Sequence, residues 1–249
     1  MGRVYASPPL VEALCEFQFE PGQQWDLTIP GLVYDHVRHR YPKRRSQKGL
    51  ALEVQTTELG FAQQVRTETQ RMHFLTADET ELIQVGPDLL IVNHLGKEYH
   101  WEAFKPTILD NLRKYCAVAN PKGFRRMGLR YLNRIILPPG DEAALETYFN
   151  AYPKLPETLP QHIQSLLVQV DIPMESYGGH LRFAFGTLPS EEPKSFTFML
   201  DLDFYTPSKL LPAVDSTEKW LENAHSRIEL AFESFVTEKT HKEIFRENV

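Results

Sequence analysis

Residues 10–20, Leu-Val-Glu-Ala-Leu-Cys-Glu-Phe-Gln-Phe-Glu, alternate almost without a break. Val11, Ala13, Cys15, Phe17 and Phe19 point one way, and Glu12, Glu16, Gln18 and Glu20 the other. A period of two with one wet face is the pattern of an antiparallel strand covered on one side only. Pro21-Gly22 punctuates its end. Strand-like stretches then follow one another at Leu50–Thr57, Phe61–Thr69, Met72–Thr76, Leu82–Val85 and Leu89–Leu95, with Gly86-Pro87-Asp88 as a turn. Consecutive strands without helices between them disfavour a doubly wound parallel sheet. The fold class these features predict is α+β: a mainly antiparallel sheet with helices packed on one face.

Helical periodicity marks the intervals. Thr28 caps a first helix with Pro30 in its opening turn and a stripe of Leu32, Val33, Val37 and Tyr41 before Pro42. Trp101, Phe104, Ile108, Leu112 and Cys116 recur at three- and four-residue spacing, with Pro106 in or near the first turn. A long strand spans Phe124–Leu137, with Arg126, Arg130 and Arg134 on one face. Its other face holds Met127, Leu129, Tyr131, Ile135 and Leu137, with Asn133 as a polar intruder. Asp141 precedes a short helix with Leu145, Tyr148 and Phe149; strands are expected at Ile163–Ile172, His180–Phe185 and Ser195–Tyr205. Asp215 with Glu218 forms a capping-box pattern before a stripe of Trp220, Leu221, Ala224, Ile228, Ala231, Phe232 and Phe235. Thr240 with Glu243 marks a short final helix. The chain thus divides into halves at 1–122 and 123–249, each running strand–helix–strands–helix, which one continuous domain can also accommodate.

Charge separates those halves. Residues 1–134 hold 18 Lys/Arg and 15 Asp/Glu, whereas residues 135–249 hold 9 and 18. A pI near 5.9 is not that of a dedicated duplex-DNA binder. Local basic stretches can still meet phosphate, because charge acts over about 8–10 Å. The run from His36 to Lys48, with Arg38, Arg40, Arg44 and Arg45 around Tyr41, is a candidate for nucleic acid, as are the three arginines of the long strand. Most such runs are simply solvated helix ends and loops, where cations also suit the C-terminal dipole. Two cysteines, Cys15 and Cys116, are too few for a disulfide scaffold, and no apolar run reaches a membrane-helix length. With no signal-peptide pattern at the N-terminus, a cytoplasmic chain without a membrane partner is expected.

Motifs of known chemistry are missing. Gly123 and Gly128 have P-loop spacing, but Leu129-Arg130 stands where Lys-Ser/Thr is needed. No Gly-x-Ser-x-Gly or His-Glu-x-x-His is present. Two polar groupings remain. His225 and Glu229 are four apart on the last helix and suit either an acid/base pair or an ordinary helix-surface contact. Asp171, Arg182, Asp201 and Asp203 fall on neighbouring strands, where carboxylates hold a cation or simply dress a polar sheet face. His36 and His39 lie three apart but lack supporting ligands, so no metal, cofactor or catalytic residue is assigned.

Five dispersed stretches carry a resemblance: Pro8-Pro9-Leu10-Val11-Glu12-Ala13, Gln84-Val85-Gly86-Pro87-Asp88-Leu89-Leu90, Tyr99-His100-Trp101-Glu102-Ala103-Phe104, Leu129-Arg130-Tyr131-Leu132-Asn133-Arg134-Ile135, and His225…Ile228…Phe232-Glu233-Ser234…Thr237. Together they resemble a sporadically distributed prokaryotic family of about 250 residues whose function is uncharacterised. The resemblance implies a single-module protein and transfers no catalytic residue; its patchy distribution implies mobile or defence-associated neighbourhoods. The function expected first is therefore a non-enzymatic binding or regulatory protein acting through a protein partner, in a bacterial defence or stress locus. An RNA-binding or RNA-processing protein built from two ferredoxin-like halves is the alternative, and a metal-dependent hydrolase using Asp201/Asp203 or His225 the third.

Overall fold

The structure is a computed structural model that describes residues 3–20, 25–26, 28–47, 50–57, 60–67, 71–96, 98–138, 145–160, 163–189, 196–207 and 216–247. Eleven strands form: β1 (Leu10–Glu20), β2 (Lys43–Gln47), β3 (Leu50–Thr57), β4 (Gly60–Thr67), β5 (Arg71–Leu75), β6 (Glu81–Gly86), β7 (Leu89–Leu95), β8 (Gly123–Leu137), β9 (Leu167–Met174), β10 (Gly179–Leu188) and β11 (Phe196–Tyr205). The helices are α1 (Ile29–Val37), α2 (Trp101–Ala119), the single-turn α3 (Leu145–Tyr148) and α4 (Thr217–Phe235), followed by a π-helical turn at Thr240–Ile244. Nine strands make one antiparallel sheet in the order β2-β5-β6-β7-β1-β8-β11-β10-β9, and β3-β4 is a separate hairpin. No described helix is long and apolar enough to cross a membrane.

The expected α+β architecture is present, and its connectivity repeats. Each half opens on a strand (β1 or β8) and passes through a helix (α1 or α3). It returns as a meander whose last strand, β7 or β11, pairs with that opening strand, and it closes on a 19-residue helix, α2 or α4. The opening strands pair with each other, so one sheet runs through the junction of the halves. A ferredoxin-like half would run strand–helix–strand–strand–helix–strand. Neither half does, because each meander runs uninterrupted into its closing helix. That part of the RNA-binding expectation is corrected.

Alternation explains which face the helices cover. Ala13, Cys15, Phe17 and Phe19 of β1 and Met127, Leu129, Tyr131 and Ile135 of β8 are buried in the same core as Ile108, Leu112, Leu221 and Ile228 of the long helices. Rings cluster in both halves: Phe19 stacks on Tyr115 and packs against Phe124, while Phe149, Phe185, Phe198 and Phe235 interlock. A register shift between Leu10 and Glu12 turns Leu10 into the core and leaves Val11 half-buried. The other face of the sheet is not uniformly wet. Leu75, Leu89 and Ile91 are buried there, with Asn93 between strands.

Several local expectations change. Lys43–Gln47 is an edge strand rather than a helix end or loop. α1 ends at Val37, Leu32 is exposed, and Thr28 stands at the N-cap without a side-chain capping bond, its backbone N–H donating to Asp26. β9 begins at Leu167, four residues later than the apolar run. Glu218 pairs with Lys105 at 3.4 Å instead of closing a capping box, and Ser216 stands at the N-cap. Ala231 and Phe232 are half-buried. The turns at Pro21-Gly22 and Pro139-Gly140, and the caps Asp141 and Asp215, lie outside the described residues.

Candidate functional site

The candidate phosphate-binding arginines are held by carboxylates or rings. Arg40 donates two hydrogen bonds to Glu81, at 2.8 and 2.7 Å, and a third to Thr107. Arg45 and Lys43 share Glu79, Arg38 meets Asp35 at 3.6 Å, and Arg44 lies over the Tyr34 ring. Antiparallel pairing of β2 with β5, followed by the β5–β6 turn, brings Glu79 and Glu81 to the basic strand. The acids that meet Arg40, Lys43 and Arg45 are distant in sequence, so the run alone does not show them.

The arginines of β8 are similarly engaged. Arg126 bridges Glu16 of β1 at 2.6 Å and Asp203 of β11 at 2.8 Å, and lies over the Tyr205 ring. Arg130 forms a fork with Asp201, and this hydrogen bonding holds its guanidinium pKa above the usual value. Arg134 shares their face. Asp171 accepts Arg182 and the Tyr205 hydroxyl. The polar grouping of Asp171, Arg182, Asp201 and Asp203 is therefore an interleaved set of ion pairs across four strands. Burial raises the Asp203 pKa, and Arg126 then Arg130 oppose that rise. Among the described residues no three His, Cys, Asp or Glu side chains group as a metal site requires.

His225 and Glu229 lie elsewhere, on the helical face, at a cavity of about 310 Å³ above the β1–β8 junction. α4 supplies His225, Ile228, Glu229, Phe232 and Glu233; β8 supplies Tyr131 and Asn133; the turn before α2 supplies Tyr99 and His100. The segment Arg3–Leu10 forms the remaining wall, fastened to the C-terminal turn by backbone bonds from Ala6 to Arg246 and from Ser7 to Phe245.

Two hydrogen-bonded networks border the cavity. The Tyr99 and Tyr131 hydroxyls are bonded to each other, Tyr131 Oη lies 2.8 Å from His225 Nδ1, and His225 Nε2 lies 3.5 Å from Glu229 Oε1. His225 stacks on Trp101 with centroids 4.2 Å apart. Burial lowers its pKa to about 4, so the imidazole is neutral at pH 7. With Glu229 on the Nε2 side, the tautomer protonated at Nε2 suits this neutral ring, and Nδ1 then accepts from Tyr131. Burial raises the Glu229 pKa. One turn along α4 the arrangement recurs: Tyr5 Oη lies 2.8 Å from His241 Nδ1, and His241 Nε2 lies 3.4 Å from Glu233, which also receives Arg3 at 2.9 Å.

Of this site the sequence offered His225 and Glu229 only. Tyr5, Tyr99, Tyr131, His241, Glu233 and Arg3 were missed as functional groups, because a tyrosine on an apolar face reads as core. Asn133, the polar intruder beside Tyr131, was the local signal that this stretch faces more than hydrocarbon. No protein-family model matches the chain, and no curated protein matches it.

Proposed function

We propose that the protein is a non-enzymatic binding protein whose ligand occupies the cavity over the β1–β8 junction. The carrying observation is the pair of Tyr–His–Glu networks on its wall, built from segments as distant as Tyr5 and His241. A cavity of this size holds a small organic ligand, and polar groups fixed in orientation within an apolar wall give such a site its selectivity. The half-buried, neutral His225 is bonded to Tyr131 through Nδ1 and faces Glu229 with Nε2, which suits recognition better than proton transfer. The RNA-binding alternative has weaker support, since Arg40, Arg45, Arg126, Arg130 and Arg182 are each held by a carboxylate. Thermal-shift screening of small metabolites tests the reading. A ligand at about 100 times its Kd adds about 2.7 kcal/mol of stability. Val4→Trp, at an exposed wall residue, should abolish the shift without lowering the melting temperature of the free protein. A shift that survives this change counts against the cavity.

Action through a protein partner has its own support. Leu159, Leu167, Val170, Ile172, Tyr177 and Leu188 are all exposed along the outer rim of the second half. The other edge strand, β2, carries Lys43, Arg44 and Arg45, the charges that keep an edge from pairing. β9 has one charge, Asp171, among Leu167, Val168, Val170 and Ile172. The occupant that fits this apolar edge, over Leu167–Ile172 before Pro173, is an extended strand donated by another protein. Val170→Lys should abolish capture of that partner. Concentration-dependent dimerisation of the purified chain, lost in the same variant, would instead identify a second copy.

A further inference from the structure

We infer that the ligand of this cavity carries an alkylammonium cation on an apolar body, an inference that rests on the cavity being the ligand site. The ionisable wall is unbalanced. Two carboxylates, Glu229 and Glu233, line it against one guanidinium, and Arg3 is divided between Glu233 and two carboxylates outside the lining, Glu238 and Glu247. Among the described residues the ion-pair contact of Glu229 is His225, a ring held neutral by burial. Glu229 stands at the exposed rim of the cavity, its side chain 48% accessible, where a cationic guest can reach it.

The rest of the wall fits the same guest. Tyr5, Tyr99, Tyr131 and Phe232 bring aromatic rings to the cavity, and rings attract desolvated cations through their faces. An anion would meet Glu229 and Glu233 across a small space, with Arg3 already engaged. A neutral ligand would leave the carboxylate field unused. His225, held by Tyr131, faces Glu229 across 3.5 Å and leaves the carboxylate open to the guest. Ile228, Pro8 and Pro9 supply the apolar surface for the body of the ligand.

Three probes of one shape separate the ideas: benzyltrimethylammonium, benzyl alcohol and benzoate, titrated at low salt with amide chemical-shift mapping on the intact chain. The cation should shift amides around Tyr99, Tyr131 and His225 and bind about tenfold or more tightly than the alcohol, with benzoate weakest. Glu229→Gln should weaken the cation about tenfold and leave the alcohol unchanged, with the melting temperature reporting that the variant is folded. Equal binding of all three probes at these amides overturns the cation preference and leaves the cavity as a ligand site. Benzoate binding most tightly there, or cation binding that Glu229→Gln does not alter, also overturns the preference. If no probe shifts these amides, the ligand-site reading falls with it.

Discussion

The two faces of the nine-stranded sheet solve the same problem with different physics. On the helical face, alternate residues of β1, β8 and β11 are hydrocarbon and aromatic, and polar groups there such as Tyr131, Asn133 and the half-buried His225 carry no charge. On the opposite face, the same strands carry Glu16, Arg126, Arg130, Asp201 and Asp203, charged and paired. Buried apolar area is worth about 25 cal/mol per Å², whereas a partly exposed ion pair returns about 0–1 kcal/mol. The helical face therefore holds most of the stability and the cavity, and the charged face contributes mainly to strand register. This division predicts a graded response to substitution.

The largest effect belongs in the aromatic cluster. Phe185 is buried and touches Phe149, Phe198 and Phe235, so Phe185→Ala should cost about 3–5 kcal/mol in a denaturant titration. The helix stripe alone assigns Phe232 the same cost. Because Phe232 is half-buried at the cavity, Phe232→Ala should cost clearly less than Phe185→Ala. Equal losses would erase the distinction between core and cavity wall.

Acid probes the helical face more finely. Unfolded, His225 titrates near its ordinary 6.5; folded, burial holds it to about 4. The unfolded chain therefore binds this proton first, and stability is lost as pH falls from about 6.5 towards 4, by roughly 2–4 kcal/mol. Glu222 faces the ring and favours its charged form, which limits the loss; Glu229, with its raised pKa, takes up a proton on folding and works against it. His225→Phe keeps an aromatic ring against Trp101 and should flatten this part of the pH profile. An unchanged slope would mean that the ring is not held neutral.

On the charged face, Arg126→Ala leaves Asp203 buried without its nearest cation. We expect a loss of about 1–3 kcal/mol at pH 7. The loss should shrink on acidification, because burial already raises the Asp203 pKa and a protonated carboxyl needs no partner. A deficit that does not vary with pH would assign Arg126 a packing role over Tyr205 instead.

Periodicity made most of this architecture legible, and the reasons for the misses are physical. Alternation identifies which side of β1 and β8 is buried, since that information is local. It gave no warning of β2, whose Lys-Arg-Arg-Ser-Gln has neither alternation nor β-branched residues and becomes a strand through its pairing with β5. Glu79 and Glu81 neutralise the basic run only through that pairing. The cavity shows the same limit: Tyr5 and His241 meet because Ala6 and Ser7 bond to Arg246 and Phe245, a relation that no spacing encodes.

The smallest predicted effect tests register itself. Matching four-residue spacings on β1 and β8 make Glu16 with Arg130 the natural cross-strand pair. The observed register sets Glu16 opposite Gly128 and Arg130 opposite Leu14, so the arginine nearest Glu16 is Arg126, across the bare α-carbon of Gly128. The Arg126 guanidinium occupies that space so closely that a β-carbon on residue 128 would stand 2.6 Å from Nη1. Arg130 reaches the other way, to Asp201. A double-mutant cycle should therefore give a Glu16–Arg126 coupling of about 0.2–1 kcal/mol, reduced by high salt, and a Glu16–Arg130 coupling near zero. Gly128→Ala should lower the first coupling by displacing the guanidinium. If the two couplings were reversed, β1 and β8 would pair in a different register, and the charged face would have to be rebuilt around it.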